Sequence, residues 1–445
     1  MKISEIMHFI HGLSDFATTG SLLPTSRWAS RGLIREALRR PSPRRILEVG
    51  AGTGAVTSIL VRHLQPGDEL VLCEINPKFA AYLRHRLEVD PAFARVRSQV
   101  RVFEGSVLDL EGEGLFDDIL SSVPLNTLPA GLVRDLLECY QRLLSRGGSL
   151  TYLEYLGLRH LRLLLTPGTA GRPWREAHAV LEHFLGQYEV YRDTVWANFP
   201  PGWIHHLRFT TPDPADAAGL LPVEGRRTLV LGPLRVATEV LKFAGVLGPL
   251  AWMLRRAGSA AWAWPLILLG GVTAFLRDPE RRVPLDPDRA LSACDGTVLA
   301  VERLRDPNLG EGEWLRVSTF LSLFNVHINR MPVSGQVVER FEVQGPAAPA
   351  NSARAEHNHA CFFVLDTPRG RVAVAQRVGI LARRIVNWVR PGDLVAQGER
   401  YGLIRMGSRT DVYLEADRWA PLVKPGQKLV AGITPVAEYS ADGPR

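Results

Sequence analysis

Gly50, Gly52 and Gly54 stand directly behind an apolar run at 46–49 and ahead of a helical stretch. Glycines at that junction let the backbone approach a ligand closely, and the N-terminus of the following helix favours negative charge. Glu74 closes the next apolar run, 24 residues after Gly50, where a carboxylate accepts hydrogen bonds from ribose hydroxyls. Together these residues point to a nucleoside ligand, with a purely structural glycine turn as the alternative. The spacing is G-x-G-x-G with Glu48 ahead of it. That departure from G-x-G-x-x-G favours S-adenosylmethionine over a nicotinamide dinucleotide.

LEVGAGTG at 47–54, CEIN at 73–76 and EGSVLDL at 104–110 resemble the class I methyltransferases. The resemblance implies an S-adenosylmethionine site formed by Glu48, Gly50, Gly52, Gly54, Glu74 and Ser106. FIHGLSDFATTGSLLPTSRWASRGL at 9–33 and SSVPLNTLP at 121–129 resemble the soluble bacterial phospholipid N-methyltransferases, which methylate phosphatidylethanolamine. The second block is also similar to the acceptor loop of ribosomal RNA adenine dimethylases. That loop uses an aromatic after its proline to stack a flipped base, and here the position holds Leu125. Transfer to an amine requires the neutral nitrogen, hence a group that takes its proton.

Four further blocks occur in one order: FLRDPERRVP at 275–284, SACDGTV at 292–298, FNVHINRMPVSG at 324–335 and LIRMGSRTDVY at 403–413. The series resembles the short-form phosphatidylserine decarboxylases, including the Gly-Ser step at which such a proenzyme cuts itself. The resemblance implies cleavage between Gly407 and Ser408, with Asp295 and His327 assisting as an acid/base relay. In such a pair the serine hydroxyl attacks the preceding carbonyl and the amide becomes an ester. Glycine at 407 leaves that attack unobstructed. Elimination and hydrolysis then turn Ser408 into a pyruvoyl group, an electron sink for decarboxylation made by the protein itself. The usual Ser-Pro-Ala-Asp-Gly reads Ser-Ala-Cys-Asp-Gly here, which spares Asp295, and Glu356-His-Asn-His-Ala360 replaces a Glu-Asn-Glu-Arg-Asn block.

Such sites require elements to hold them. From 46 to about 155, strand-like apolar runs alternate with amphipathic helical stretches, which predicts an α/β doubly wound, Rossmann-like sheet. A turn-rich passage through 199–202 and 210–225 reads as a linker. From about 285 onward, short β-branched runs punctuated by Gly and Pro predict a β-rich (α+β) domain. Val389-Arg-Pro-Gly-Asp-Leu-Val and Val423-Lys-Pro-Gly-Gln-Lys-Leu-Val form a small internal repeat or a chance recurrence of a common turn. Between the domains lie apolar runs at 243–254 and 257–276. The second is long enough to cross ~30 Å of hydrocarbon, but Pro265, Gly270 and Gly271 weaken it as a helix. Arginines flank it on both sides, which favours a hairpin or tilted segment in one leaflet over a span, with a buried core helix as the alternative. Ile3, Ile6, Ile10, Leu13 and Phe16 recur at helical spacing and predict an amphipathic N-terminal helix.

The expected organisation is therefore 1–209 methyltransferase, 210–230 linker, 231–284 apolar membrane-associated segment and 285–445 decarboxylase. The chain holds 53 Lys and Arg against 46 Asp and Glu, 46% hydrophobic and 22% charged residues. That composition excludes a disordered chain, and the net +7 suits an anionic lipid surface. Cys73, Cys139, Cys294 and Cys361 stand far apart, so neither a metal site nor a disulfide framework is expected, and a reduced cytosolic setting fits. The two resemblances imply consecutive steps on one lipid at the cytosolic face of the cell membrane. The expected partners are phosphatidylserine, phosphatidylethanolamine, the membrane surface and the large and small chains of the cleaved proenzyme. A homo-oligomer is open and no nucleic acid is expected. The alternatives are a first domain that only binds a ligand or membrane, or one that methylates RNA adenine.

Overall fold

The computed structural model describes residues 25–156, 172–198, 200–223, 228–231, 234–380, 384–405 and 408–441. The expected N-terminal amphipathic helix and Gly407 lie outside these residues. The chain divides into two compact units, Met1–Thr211 and Pro212–Arg445.

The first unit is built on seven strands: β1 (Arg45–Val49), β2 (Glu69–Glu74), β3 (Val100–Glu104), β4 (Phe116–Ser121), β5 (Leu144–Tyr155), β6 (Glu189–Val195) and β7 (Gly202–Leu207). Their order is β3-β2-β1-β4-β5-β7-β6. The pairings among β1 to β5 are parallel, whereas β7 runs antiparallel to both β5 and β6. The doubly wound reading thus holds, and the order reverses between β1 and β4, where open α/β sheets bind ligands at the carboxyl ends of their strands. Helix Pro77–Val89 starts where Asn76 Oδ1 accepts from Lys78 N–H (3.0 Å) and Pro77 opens the first turn. Helix Ala130–Leu143 buries Val133, Leu137 and Tyr140 at helical spacing against Ile119, Leu150 and Tyr152. On the other face Leu33, Ile34 and Leu83 pack on Ile46, Leu72 and Ile204. The Pro-Pro-Gly at 200–202 ends by leading directly into buried β7. A Cβ at Gly202 would lie 2.9 Å from the Glu154 carbonyl oxygen, so only glycine lets β7 approach β5 this closely.

The second unit opens inside the passage expected as a linker. Asp213 and Asp216 form a capping box on the short helix Pro214–Ala217, and Ala217 and Leu220 are buried with Leu394 and Ala396. A hairpin of β8 (Thr228–Leu231) and β9 (Leu234–Ala237) precedes helices Val240–Arg256 and Ala263–Phe275, which pack on each other. The apolar run at 257–276 is therefore not one helix. Gly258, at φ 70°, ends the first helix in the left-handed region, and Ser259 Oγ accepts from Ala261 N–H (3.2 Å) to begin the next turn. Among the described residues no helix is long and apolar enough to cross a membrane.

The β-rich remainder comprises β10 (Arg289–Leu291), β11 (Gly296–Leu304), β12 (Trp314–Leu321), β13 (Ile328–Arg330), β14 (Gly335–Val343), β15 (Ala360–Thr367), β16 (Gly370–Arg377), β17 (Ile385–Asn387), β18 (Leu394–Val395), β19 (Arg400–Ile404), β20 (Ser408–Glu415), β21 (Trp419–Pro421), β22 (Lys428–Leu429) and β23 (Pro435–Tyr439). Eight of them form an antiparallel sheet in the order β18-β14-β15-β16-β20-β12-β11-β22, and β13-β19-β17 and β10-β23-β21 form two small sheets. One face of the large sheet carries Val317, Val337, Phe363, Val374 and Val412 into the main core.

The Pro-Gly recurrence is structural. Gly392 N–H donates to Val337 O (2.7 Å) while Val337 N–H donates to Asp393 O (2.9 Å). In the same way Gly426 N–H donates to Val298 O (2.8 Å) and Val298 N–H to Gln427 O (2.9 Å). Each turn thereby delivers a two-residue strand, β18 or β22, to one edge of the sheet.

Candidate active sites

At the carboxyl end of β1, Gly50, Gly52 and Gly54 have φ of 73°, 54° and 78°, a region open to glycine and strained for other residues. A Cβ at Gly50 would meet Val123 at 3.4 Å, whereas one at Gly52 would meet nothing within 4 Å. Gly52 therefore faces open space beside the switch point. Both oxygens of buried Glu74 are held: Gly52 N–H donates to Oε2 (2.7 Å) and Asn76 N–H to Oε1 (2.8 Å). Ser106 caps the turn after β3, its Oγ accepting from Leu108 N–H (3.2 Å) and its own N–H donating to Asp109 (3.3 Å). Gly105 N–H donates to Glu74 O (3.0 Å), so the loop, Glu74 and the Ser106 turn share one edge of the sheet. Glu48 lies beneath the loop. Burial pushes its carboxyl up to about 8 despite hydrogen bonds from Thr57 Oγ1 (3.0 and 2.9 Å), so Glu48 is largely protonated at neutral pH.

On the acceptor side, Leu125 is 1% exposed and belongs to the same core as Val49 and Leu132. It cannot stack an extruded base. Sequence reasoning passed over a group on β5, β6 and β7. His205 Nδ1 lies 2.6 Å from Glu189 Oε1 and its Nε2 lies 3.3 Å from Glu154 Oε2. Burial works against charge on His205, yet the two carboxylates raise it above the ordinary imidazole value. No fixed spacing in the sequence announces that group, because its members lie on three strands.

In the second unit Ser408 opens β20 opposite Leu321 of β12. It is 0% exposed, and its Oγ has no partner among the described residues. His327 is also buried, and its ring packs against that of Phe275, tilted by 37° with centroids 4.2 Å apart. Its Nδ1 lies 2.9 Å from the Asn325 carbonyl oxygen, an acceptor only, so Nδ1 carries the proton and Nε2 is left with a lone pair. That Nε2 is also buried without a partner. Burial, with Arg277 nearby, pushes the imidazole down to about 4, against the Asn325 bond and the Asp295 charge. Asp295 is thus within electrostatic reach of His327, but its oxygens are held by others. Arg281 donates to Oδ1 (2.6 Å) and Oδ2 (2.8 Å), and Ala431 N–H to Oδ1 (2.8 Å). Neither the Arg281 pair nor the Asn325 bond was read from the sequence, although Arg281 lies within a quoted block.

On the opposite sheet face Asp411 anchors β20. Arg377 Nε donates to Oδ2 (2.7 Å) and Arg409 Nε to Oδ1 (2.6 Å). Burial alone would raise the Asp411 carboxyl, but Arg409 and Arg377 hold it below the carboxylate range. The strand that begins at Ser408 is therefore clamped within its first four residues.

Residues 269–437 match the family model for phosphatidylserine decarboxylase, and 46–148 match that of a methyltransferase domain. A phosphatidylserine decarboxylase proenzyme of Erythrobacter litoralis is 44% identical over 195 residues, covering 40% of this chain and 78% of that protein. One from Symbiobacterium thermophilum is 43% identical over 204 residues, 45% of this chain and 93% of that protein. Among solved structures, an O-methyltransferase from Bacillus cereus in complex with SAH is 18% identical with a TM-score of 0.33, covering 46% of this chain and 89% of that one. Through its second unit the chain belongs to the phosphatidylserine decarboxylase proenzyme family, fused behind a methyltransferase domain.

Proposed function

We propose that the chain performs two consecutive steps on one lipid: pyruvoyl-dependent decarboxylation of phosphatidylserine, then S-adenosylmethionine-dependent N-methylation of the phosphatidylethanolamine formed. The observation that carries this reading is the fusion itself, since the decarboxylase product bears the amine that an N-methyltransferase consumes. The residues fit both groups. A buried Ser408 hydroxyl without a partner suits conversion to a carbonyl, which would supply an electron sink there. His327, neutral with a free Nε2, takes the serine proton during self-cleavage after Gly407. Asp295, fixed by Arg281, provides a negative charge that eases positive charge on His327. In the first unit the open space at Gly52 leaves room for S-adenosylmethionine beside Glu48, Gly50, Gly54, Glu74 and Ser106.

The helical pair supports attachment to one leaflet at the cytosolic face. Val246, Trp252, Trp264 and Ile267 are each more than half exposed, while Arg256 lies over Trp252 and Arg255 over Trp262. Apolar side chains bordered by aromatics and arginines suit a bilayer interface with anionic lipid.

Purified protein given phosphatidylserine vesicles and methyl-labelled S-adenosylmethionine is expected to release carbon dioxide and then label the ethanolamine lipid. Ser408→Ala should label added phosphatidylethanolamine but nothing derived from phosphatidylserine. Carbon dioxide release without label in any lipid would confine the chain's lipid chemistry to decarboxylation.

A further inference from the structure

Beside Ser408, the same face of the large sheet carries further polar side chains. Ser408 and Thr410 are two apart on β20 and so point to one face. Thr410 is the register partner of Thr319 on β12 and of Gln376 on β16. Gln376 Nε2 donates to Asn329 Oδ1 (2.6 Å), and Asn329 stands two residues after His327. The segments that bring in the serine and the histidine thus each add, two residues on, a hydroxyl or an amide to a second row.

A chain of donors fixes which end of the Asn329 amide is free. With the Asn387 amide turned so that its oxygen meets Arg340 Nε and Nη2 (3.3 Å each), the orientation that pairs donors with acceptors, its nitrogen donates to Gln376 Oε1 (2.9 Å), and the Gln376 nitrogen donates to Asn329 Oδ1 (2.6 Å). Asn329 Nδ2 is left as the terminal donor. It has no partner among the described residues, although Asn329 is 0% exposed. An unmet buried donor of this kind is unfavourable, and a ligand acceptor would recover that cost. The Thr410 hydroxyl, also at 0% exposure, has no nitrogen or oxygen partner among the described residues; the Cys294 thiol beside it is a weak partner.

We propose that Asn329 and Thr410 form a subsite for the α-carboxylate of the serine headgroup, the group lost as carbon dioxide. The inference rests on the decarboxylase reading above. In that step the bond between the α-carbon and the carboxylate breaks; its electron pair is taken up by the group derived from Ser408, through the bond that this carbonyl would form with the substrate amine, and afterwards returns to the α-carbon. Neutral carbon dioxide leaves, and the α-carbon takes up one proton from water in its place. Neutral donors suit this reaction. They orient the carboxylate, whereas an arginine would stabilise the starting charge more than the transition state that loses it.

The test uses the self-cleaved full-length protein with its ketone reduced by borohydride, so that lipid binds without reacting. Calorimetric titration should show dihexanoyl phosphatidylserine binding about tenfold more tightly than dihexanoyl phosphatidylethanolamine, the size of a charge-assisted hydrogen-bond pair. Asn329→Asp should bring the two to parity, and Thr410→Val should cut the preference about threefold, while affinity for the ethanolamine lipid is unchanged in both. Thr410→Val also serves if Asn329→Asp does not fold. Equal loss for both lipids, as a structural role would produce, overturns the subsite. So does a folded variant that no longer cuts itself, which would place these side chains in processing. Wild-type protein that binds both lipids equally refutes the subsite and leaves the decarboxylase reading standing. A wild-type chain whose intact mass shows no cleavage refutes both.

Discussion

His327 is fixed as a proton acceptor by its other nitrogen, which the Asn325 carbonyl holds in the protonated form. With the imidazole pushed down to about 4, self-cleavage followed by intact mass should run at a constant rate from pH 8 to about 5 and fade toward 4. His327→Gln should stop it. The same shift sets a stability slope. The unfolded imidazole titrates near 6.5 and the folded one near 4, so between those values the unfolded state binds more protons and stability rises with pH. Acidification through that window should cost about 3 kcal/mol in denaturant melts, and His327→Gln should remove this component. In the other unit, Gly52→Val places a side chain where a Cβ now meets nothing. The strained φ should cost ~1–3 kcal/mol of stability, while calorimetric binding of S-adenosylmethionine should fall at least tenfold. Retained affinity would move the cofactor away from the loop. Gly50, Glu74, His327 and Ser408 could be named as candidates from the sequence because short motifs carry them. The pairing of Asp295 with Arg281 was not legible, because it joins two loop residues that no motif links, and the donor chain ending at Asn329 was not, because it depends on strands brought together from distant parts of the sequence.

Elements were legible where one period dominates. The alternation of apolar runs with amphipathic helices gave the parallel strands of the first sheet. The β6/β7 pair was hidden, since β7 follows a Pro-Pro-Gly sequence that reads locally as a turn, and its place is decided by pairing with β5. The Pro-Gly repeat was visible as a sequence, but its meaning is topological, since it closes the two opposite edges of one sheet. The break at Gly258 and Ser259 falls close to Arg255 and Arg256, which separate the two apolar runs in the sequence. Ending the helix there leaves a pair of short helices, 17 and 13 residues long, with Trp264 at 69% and Ile267 at 61% exposure. Trp264→Glu combined with Ile267→Lys removes interfacial contact while sparing the buried contacts of the pair. Co-sedimentation with anionic vesicles should fall several-fold, with the melting temperature and self-cleavage unchanged. Undiminished sedimentation would assign membrane contact to another part of the chain.

At the scale of the whole molecule, the hydrophobic clusters respect the division of the chain. Those of the first unit lie among residues 29–209, and those of the second begin at Val236 and at the Ala217 and Leu220 cluster. Each of these clusters draws its residues from a single unit, so each unit has a core that can support folding on its own. The residues proposed for self-processing, Asp295, His327 and Ser408 with Arg281 beside Asp295, likewise all lie within Pro212–Arg445. Fragment 212–445, produced alone, is therefore expected to fold and to cut itself, releasing a C-terminal piece that begins at residue 408. The intact chain should do so at the same rate within about twofold, because every residue proposed for that relay belongs to the second unit. Near-UV circular dichroism and denaturing mass spectrometry on the same sample separate the outcomes. A folded but uncut fragment would mean that self-processing requires the methyltransferase unit, and fusion would then be part of the decarboxylase's maturation as well as of the reaction order.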